Sequence, residues 1–260
     1  MRSALAGLLL LIPLFFLEEG SALAATNDEI FAVYARGDYE QAARLGEASH
    51  TAPGLATAAR AVLADDVLRE MPCLSCLERA ESLSRQAVAA DPHHAFGQVW
   101  LAVALGYQAR ITGAVKARIK NAPAQSKAAL DTAVADDPKN AFAVSALGGW
   151  HIEVVRGGGA TMARLFYGAR ESTALSLFDH SVALAPGNVA VRYQIGLSLA
   201  GFDPDKYHAR IATELKAAVA AVPATVYEKR IQTRAAELLG LINQSEAFNL
   251  KVRKYQGFPD

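Results

Sequence analysis

The chain has 260 residues, with 26 lysines and arginines against 26 aspartates and glutamates, so its formal net charge is zero at neutral pH. This balance gives no reason to expect a nucleic-acid-binding protein or a partner selected by net charge. Hydrophobic residues make up 52% of the sequence, and alanine is the most frequent of them. Because alanine favours helices and runs of β-branched residues are scarce, the composition predicts an all-α protein.

The first 24 residues have the pattern of a secretory signal peptide. Arg2 precedes an apolar run at 4–17, and Ala22-Leu23-Ala24 forms a small-x-small cleavage site. A retained membrane anchor is the alternative, but the apolar run is shorter than the roughly 20 residues that cross a bilayer. We therefore expect a signal peptide at 1–24, one domain at 25–260 and a periplasmic or secreted location.

Cys73 and Cys76 are the two cysteines of the chain, and they fall where a helix is expected to begin. In the first turn of a helix, positions i and i+3 bring the α-carbons within disulfide range, and an exported protein meets an oxidising compartment. The sequence therefore predicts a Cys73–Cys76 disulfide. A redox-active thiol pair is one alternative. A zinc site that recruits His93 and His94 is another.

Prolines close a series of amphipathic helical stretches. The prolines are Pro53, Pro92, Pro138, Pro186 and Pro223. Proline cannot continue a helix, and it moves the preceding residue out of the helical region of backbone conformation. Each proline is therefore expected to end one helix and to set up the next.

Residues of similar size return at fixed distances from the three middle prolines. Ala102, Gly148 and Gly196 each stand ten residues after a proline, whereas Leu130 and Phe178 each stand eight residues before one. Small residues at fixed offsets allow two helices to approach closely, and large residues fill the groove between them. The chain is therefore predicted to repeat a helix-turn-helix unit.

These offsets resemble the tetratricopeptide repeat, as in "ALGGW" (146–150) and "QIGLSLAGF" (194–202). The segment from about 140 to 240 also resembles the helical-repeat domain of the regulator of microtubule dynamics family, through "LGGWHIEVV", "ESTALSLFDHSVALAPGN" and "LKAAVAAVPATVYEKRIQTRAAELL". The resemblance implies an antiparallel helix-hairpin solenoid with helical insertions and a C-terminal capping helix. It brings no catalytic residues.

The two middle repeats are longer than the tetratricopeptide unit, so each is expected to contain an insertion. The first, at 110–127, carries five positive charges and no acid; the second, at 156–170, carries three positive charges and no acid. Basic amphipathic helices of this kind suit an anionic membrane surface or an acidic partner. The alternative is that their apolar faces pack back on the core. The candidate contact residues are Lys116, Arg118, Lys120 and Arg164.

The first helix of each repeat is expected to line a concave binding surface. The repeat register assigns small and apolar residues to this surface: Val99, Val103, Gly106, Ser145, Gly149, Ile152, Tyr193, Leu197 and Ala200. Such a surface suits a helix, a lipid-like tail or the chain's own amphipathic end at 226–252. That end could instead cap the solenoid.

The predicted function is an exported scaffold or adaptor for protein–protein interaction in the bacterial envelope, with a protein partner or an anionic membrane surface and no nucleic acid. No enzyme activity, metal or cofactor is predicted, since the sequence contains neither GxSxG nor HExxH. The alternative is a periplasmic small-ligand-binding accessory protein of a solute-uptake system. A closed cavity lined by Val103, Trp150 and Tyr193 would favour that alternative, whereas an open groove would favour the scaffold.

Overall fold

A computed structural model describes residues 25–69 and 72–258; the predicted signal peptide at 1–24 lies outside these ranges. Within them the chain forms thirteen helices and no strand, which confirms the predicted all-α fold. The helices are α1 Asn27–Ala35, α2 Tyr39–Ser49, α3 Ala52–Val67, α4 Leu74–Ala90, α5 Ala95–Thr112, α6 Ala114–Ile119, α7 Ala122–Asp136, α8 Ala141–Tyr167, α9 Glu171–Leu184, α10 Val189–Phe202, α11 His208–Ala220, α12 Val226–Leu241 and α13 Ser245–Tyr255.

The helices pair as consecutive hairpins. The inner helices α3, α5, α8, α10 and α12 pack against the outer helices α4, α7, α9, α11 and α13, respectively, and each inner helix also contacts the next inner helix. Helices α1 and α2 pack on α3. This arrangement is the helix-hairpin solenoid that the repeat pattern predicts. Helix α6 and the long C-terminal half of α8 are the two insertions.

Four inner helices have their N-cap residue two places after a proline. His94, Asn140, Asn188 and Thr225 occupy the N-cap positions of α5, α8, α10 and α12, and each side chain accepts a hydrogen bond from a backbone N–H in the first helical turn. Such caps satisfy donors that have no partner inside the helix. The proline therefore ends the outer helix, and the residue two places later caps the start of the inner one.

The small and large residues at fixed offsets meet between the helices of a hairpin. A Cβ atom built on Gly148 would lie 2.7 Å from the ring of Phe178, and one built on Gly196 would lie 3.1 Å from Leu215. Phe178 and Leu215 are both buried. Glycine at these two positions thus allows α8 and α10 to approach α9 and α11 closely.

The last repeat contacts the first, so the solenoid closes on itself. Arg234 of α12 donates hydrogen bonds to the carbonyl oxygens of Val67 and Leu68 at the end of α3. Val226, at the start of α12, packs against Gly37 in the turn between α1 and α2. The amphipathic C-terminal segment is thus a pair of helices, α12 and α13, that joins the N-terminal repeat as well as capping α10 and α11.

Candidate functional site

The inner helices surround a cavity of about 230 Å³. This volume exceeds the roughly 150 Å³ of an apolar protein cavity that accepts benzene. Its wall is largely apolar, with leucine, valine, alanine and aromatic side chains from all five inner helices. The residues of the predicted concave surface that line it are Val99, Val103, Gly106, Ser145, Gly149 and Leu197.

The other residues assigned to the concave surface do not line the cavity, and that part of the prediction is corrected. Ile152, Tyr193 and Ala200 are at most 2% exposed and are packed between helices. Each residue of an α-helix is rotated by about 100° from the one before it. Glu153 and Gln194 line the cavity. Ile152 comes just before Glu153, and Tyr193 comes just before Gln194. The rotation between successive residues therefore turns the side chains of Ile152 and Tyr193 into the core.

Charged side chains form one part of the cavity wall. Arg110 Nη2 lies 3.1 Å from Glu153 Oε1, and Arg156 Nη2 donates to Glu153 Oε2 at 2.5 Å. Burial opposes ionisation of Glu153, but the charges of the two arginines outweigh it and hold the pKa of this carboxyl below its usual value. Glu153 is therefore an anion matched by two cations, which leaves this cluster with a net positive charge.

The C-terminal tail covers the cavity beside this cluster. Gln256 is 2% exposed, its side-chain amide donates to the Leu197 carbonyl, and its own carbonyl accepts from Arg110. The ring of Phe258 lies beneath the guanidinium group of Arg156, 4.5 Å away. Arg110 is near the end of α5 and Leu197 is in the second half of α10. The tail therefore closes the C-terminal end of the inner helices.

Arg60 stands in a different part of the wall. Its guanidinium carbon lies 4.5 Å from the ring centroid of Tyr34, 5.4 Å from that of Trp100 and 5.7 Å from that of Phe142. Phe142 is the second residue of α8, so this group lies near the start of the helix, whereas Glu153 lies near its middle. The sequence pattern did not identify Arg60, because its aromatic neighbours come from three other helices.

The two insertions form a second feature, which we call the insertion tip: residues 114–120 with residues 160–167. Helix α8 is interrupted there at Gly159, which has a φ of +73°. The Arg118 guanidinium lies 5.5 Å from the ring centroid of Phe166, so the two insertions contact each other. They emerge on the same side of the solenoid.

The large apolar residues of the insertion tip are exposed to solvent. Val115 is 75% exposed, Ile119 79% and Leu165 72%, and Met162 and Phe166 are also exposed. Small alanines, Ala117 and Ala163, supply the buried side of the tip. The alternative that the apolar faces pack back on the core is therefore wrong for these five side chains, although Ile111, near the start of the first insertion, is half-buried against the core. Lys116, Arg118, Lys120 and Arg164 are exposed beside them.

The cysteine pair forms a disulfide. Cys73 and Cys76 are bonded through sulfur, with their α-carbons 5.2 Å apart at the start of α4. His93 instead contacts Asp136, and His94 caps α5. The two histidines therefore do not complete a zinc site with the cysteines.

Residues 54–243 match the family described as Regulator of microtubule dynamics protein 1-3. The match covers well over half of the chain. The chain belongs to this family. The matched region runs from α3 to the turn after α12, so it includes the inner helices and both insertions. Membership supports a helical scaffold for protein interaction and confirms the resemblance drawn from the repeats. A comparison with curated proteins finds no match.

Proposed function

We propose that this protein is a scaffold of the bacterial envelope that attaches to an anionic membrane surface through the insertion tip. The observation that carries the proposal is the combination of exposed apolar side chains with four lysines and arginines on two insertions that contact each other. No helix in the described ranges is long and apolar enough to cross a membrane. The proposed attachment takes place at the membrane surface, through the exposed side chains of the tip.

The chemistry of the insertion tip matches that surface. Apolar side chains enter the boundary between lipid headgroups and acyl chains, and the cations bind the acidic headgroups. A lysine or arginine near an anionic leaflet contributes about 1 kcal/mol, so four of them contribute about 4 kcal/mol at low salt. The insertion segments contain no acidic residue to offset this attraction. The predicted signal peptide supports a location where the tip would meet such a membrane.

Vesicle flotation tests the proposal with residues 25–260. The protein is expected to float with vesicles that contain phosphatidylglycerol, to stay behind with phosphatidylcholine alone, and to be released by salt. Charge reversal at Lys116, Arg118, Lys120 and Arg164 should abolish flotation. Replacement of Leu165 and Phe166 by serine should weaken it at constant charge.

The matched control reverses four exposed cations elsewhere, Arg36, Lys139, Lys216 and Lys229, none of which forms an ion pair with a described residue. This control changes the net charge by the same amount and should still float. If it is lost from the vesicles to the same extent as the tip variant, net charge is responsible and the tip has no special role. If the unaltered chain ignores anionic vesicles, the proposal fails.

The largely apolar cavity between the inner helices favours a second candidate function, a small-ligand-binding accessory protein. Val103 and Trp150 line the cavity, although Tyr193 does not, and the contact between Arg234 and α3 closes the ring around it. Organic extraction of freshly purified protein, followed by mass spectrometry, should recover one class of small molecule in stoichiometric amount. Recovery of the same class from a Val103→Trp variant, whose added ring would fill the cavity, would place the ligand elsewhere.

A further inference from the structure

Arg60 is a cation in an apolar wall that lacks an acidic partner. Within the described part of the chain it forms no ion pair, whereas Arg110, also in the cavity wall, faces Glu153. Glu228 is an acidic group that acts electrostatically on Tyr34, and its carboxylate accepts a hydrogen bond from the backbone N–H of Ala224. The guanidinium is therefore available to an anion from outside the chain.

The surroundings of Arg60 hold its head group in place without neutralising it. The rings of Tyr34, Trp100 and Phe142 face it, and Phe31 lies 5.5 Å away on a further side. Aromatic faces attract a guanidinium through their quadrupoles but carry no net charge. A charge that is partly removed from water is stabilised much further by a counter-ion. The site therefore has a positioned donor group and an unmet requirement for negative charge.

Between Arg60 and the charged cluster of Arg110, Glu153 and Arg156, the cavity wall is largely apolar. Leu63, Val67, Val103, Ala146 and Leu197 line it between Arg60 and the end that Gln256 covers. A ligand with an anionic head at Arg60 would place an uncharged tail against these side chains. A cationic ligand would meet Arg60 at one end and the net positive charge of the Arg110, Glu153 and Arg156 cluster at the other.

We propose that the cavity binds an amphipathic organic anion, a carboxylate with a short apolar tail, and that Arg60 pairs with the carboxylate. This inference rests on the second candidate function and names its ligand class. Guanidinium and carboxylate groups match in a bidentate geometry, which makes arginine the appropriate side chain for such a head group. The cavity volume of about 230 Å³ is only moderately larger than that of a cavity that accepts benzene. The tail can therefore be only a few methylene groups larger than benzene.

Titration calorimetry with three probes of equal tail length tests the ligand class on the unaltered, delipidated chain. Octanoate should bind, and octanol should bind with an affinity at least about tenfold lower. Octylamine should not bind. A gap of this size is expected because only octanoate forms the ion pair. Equal affinity for octanoate and octanol would show that the cavity binds a ligand but that Arg60 does not pair with its head group. Absence of binding by all three probes would overturn the proposal, and solvent extraction would then show whether the chain carries a different ligand.

An Arg60→Gln variant tests the residue itself. It should lose about tenfold or more in octanoate affinity and keep its octanol affinity. Arg85→Gln is the matched control, because Arg85 is exposed on the outer helix α4 and contacts Glu81 and Gln125. If Arg60→Gln and Arg85→Gln bind octanoate equally well, Arg60 does not pair with the carboxylate. If Arg60→Gln fails to fold, the comparison of the three probes on the unaltered chain still tests whether the cavity selects an anionic head group.

Discussion

Arg234 and Val67 are 167 residues apart in the sequence, yet Nη1 of Arg234 donates to the Val67 carbonyl oxygen at 3.0 Å. Nη2 of the same guanidinium donates to the Leu68 carbonyl at 2.9 Å. These carbonyls belong to the end of α3, where they have no partner inside the helix. The guanidinium also lies 4.5 Å from the ring centroid of Tyr255. One side chain thus connects α3, α12 and α13 and joins the first hairpin to the last.

We expect Arg234→Ala to lower the free energy of unfolding by about 2–3 kcal/mol, because two hydrogen bonds from a charged donor are lost. Arg234→Lys should recover only part of this, since an ammonium group does not have the planar fork of a guanidinium. Urea denaturation measures both. Small-angle X-ray scattering should also show a larger radius of gyration for the alanine variant, and an unchanged radius would mean that the ring stays closed without Arg234.

Two adjacent glycines of α8 should respond oppositely to alanine. A Cβ on Gly148 would lie 2.7 Å from the Phe178 ring and 3.2 Å from the Ala174 carbonyl oxygen, whereas a Cβ on Gly149 meets nothing within 4 Å. Gly148→Ala should therefore destabilise the protein by about 1–3 kcal/mol through overpacking. Gly149→Ala should stabilise it by up to about 1 kcal/mol, because alanine favours the helix more than glycine does. Thermal denaturation of the pair tests this, and equal shifts would contradict the close packing of α8 on α9.

The repeat could be predicted from sequence because its determinants are local. Gly148 and Phe178 are 30 residues apart, within one hairpin, and their sizes are repeated by Gly196 and Leu215 in the next hairpin. The N-caps were also recognisable in principle. His94, Asn140 and Asn188 each follow a proline by two residues, which is a signal that the offset analysis did not use.

The cavity was harder to predict from sequence than the repeat, because it depends on contacts between distant repeats. Arg234 of the last hairpin reaches Val67 of the first only after the three intervening hairpins have brought the two ends of the solenoid together. The register assigned Ile152 and Tyr193 to the concave surface, but a shift of one residue in a helix moves a side chain from the cavity to the core. The ring around Arg60 combines residues of α1, α3, α5 and α8.

Glu214 should contribute strongly to stability because it is a buried carboxylate with two cationic partners. It is 1% exposed and accepts from Arg192 Nη1 at 2.7 Å and from Arg210 Nε at 2.6 Å. Glu214→Ala leaves both guanidinium groups without this partner and should cost about 3–5 kcal/mol.

Asp179→Ala is the control, since Asp179 pairs with the same Arg210 but its side chain is 65% exposed. This change should cost less than about 1 kcal/mol. Guanidinium chloride denaturation of the two variants compares a buried and an exposed partner of one arginine. A similar loss in both would show that burial of Glu214 adds nothing.

His151 should make stability depend on pH near the base of the second insertion. It is 5% exposed, and its Nδ1 accepts a hydrogen bond from the backbone N–H of Arg170 at 3.2 Å. Burial, reinforced by the nearby charge of Lys127, lowers the pKa of His151 below its usual value of 6.5. The neutral imidazole is the form that accepts this hydrogen bond. Its contribution is therefore complete above pH 6.5 and is lost as the pH falls through the lowered folded-state pKa.

His151→Asn separates this titration from the others, because the asparagine Oδ1 can accept from Arg170 N–H without being protonated. Below pH 6.5 the unaltered chain should lose stability faster than the variant, and above it the two curves should run parallel. The exposed His93 acts in the opposite direction: its hydrogen bond with Asp136 raises its pKa, so its contribution is present at low pH and fades as the pH rises. That contribution is the same in both proteins and is removed by subtraction. Parallel curves over the whole acidic range would show that protonation of His151 does not loosen the junction with α9.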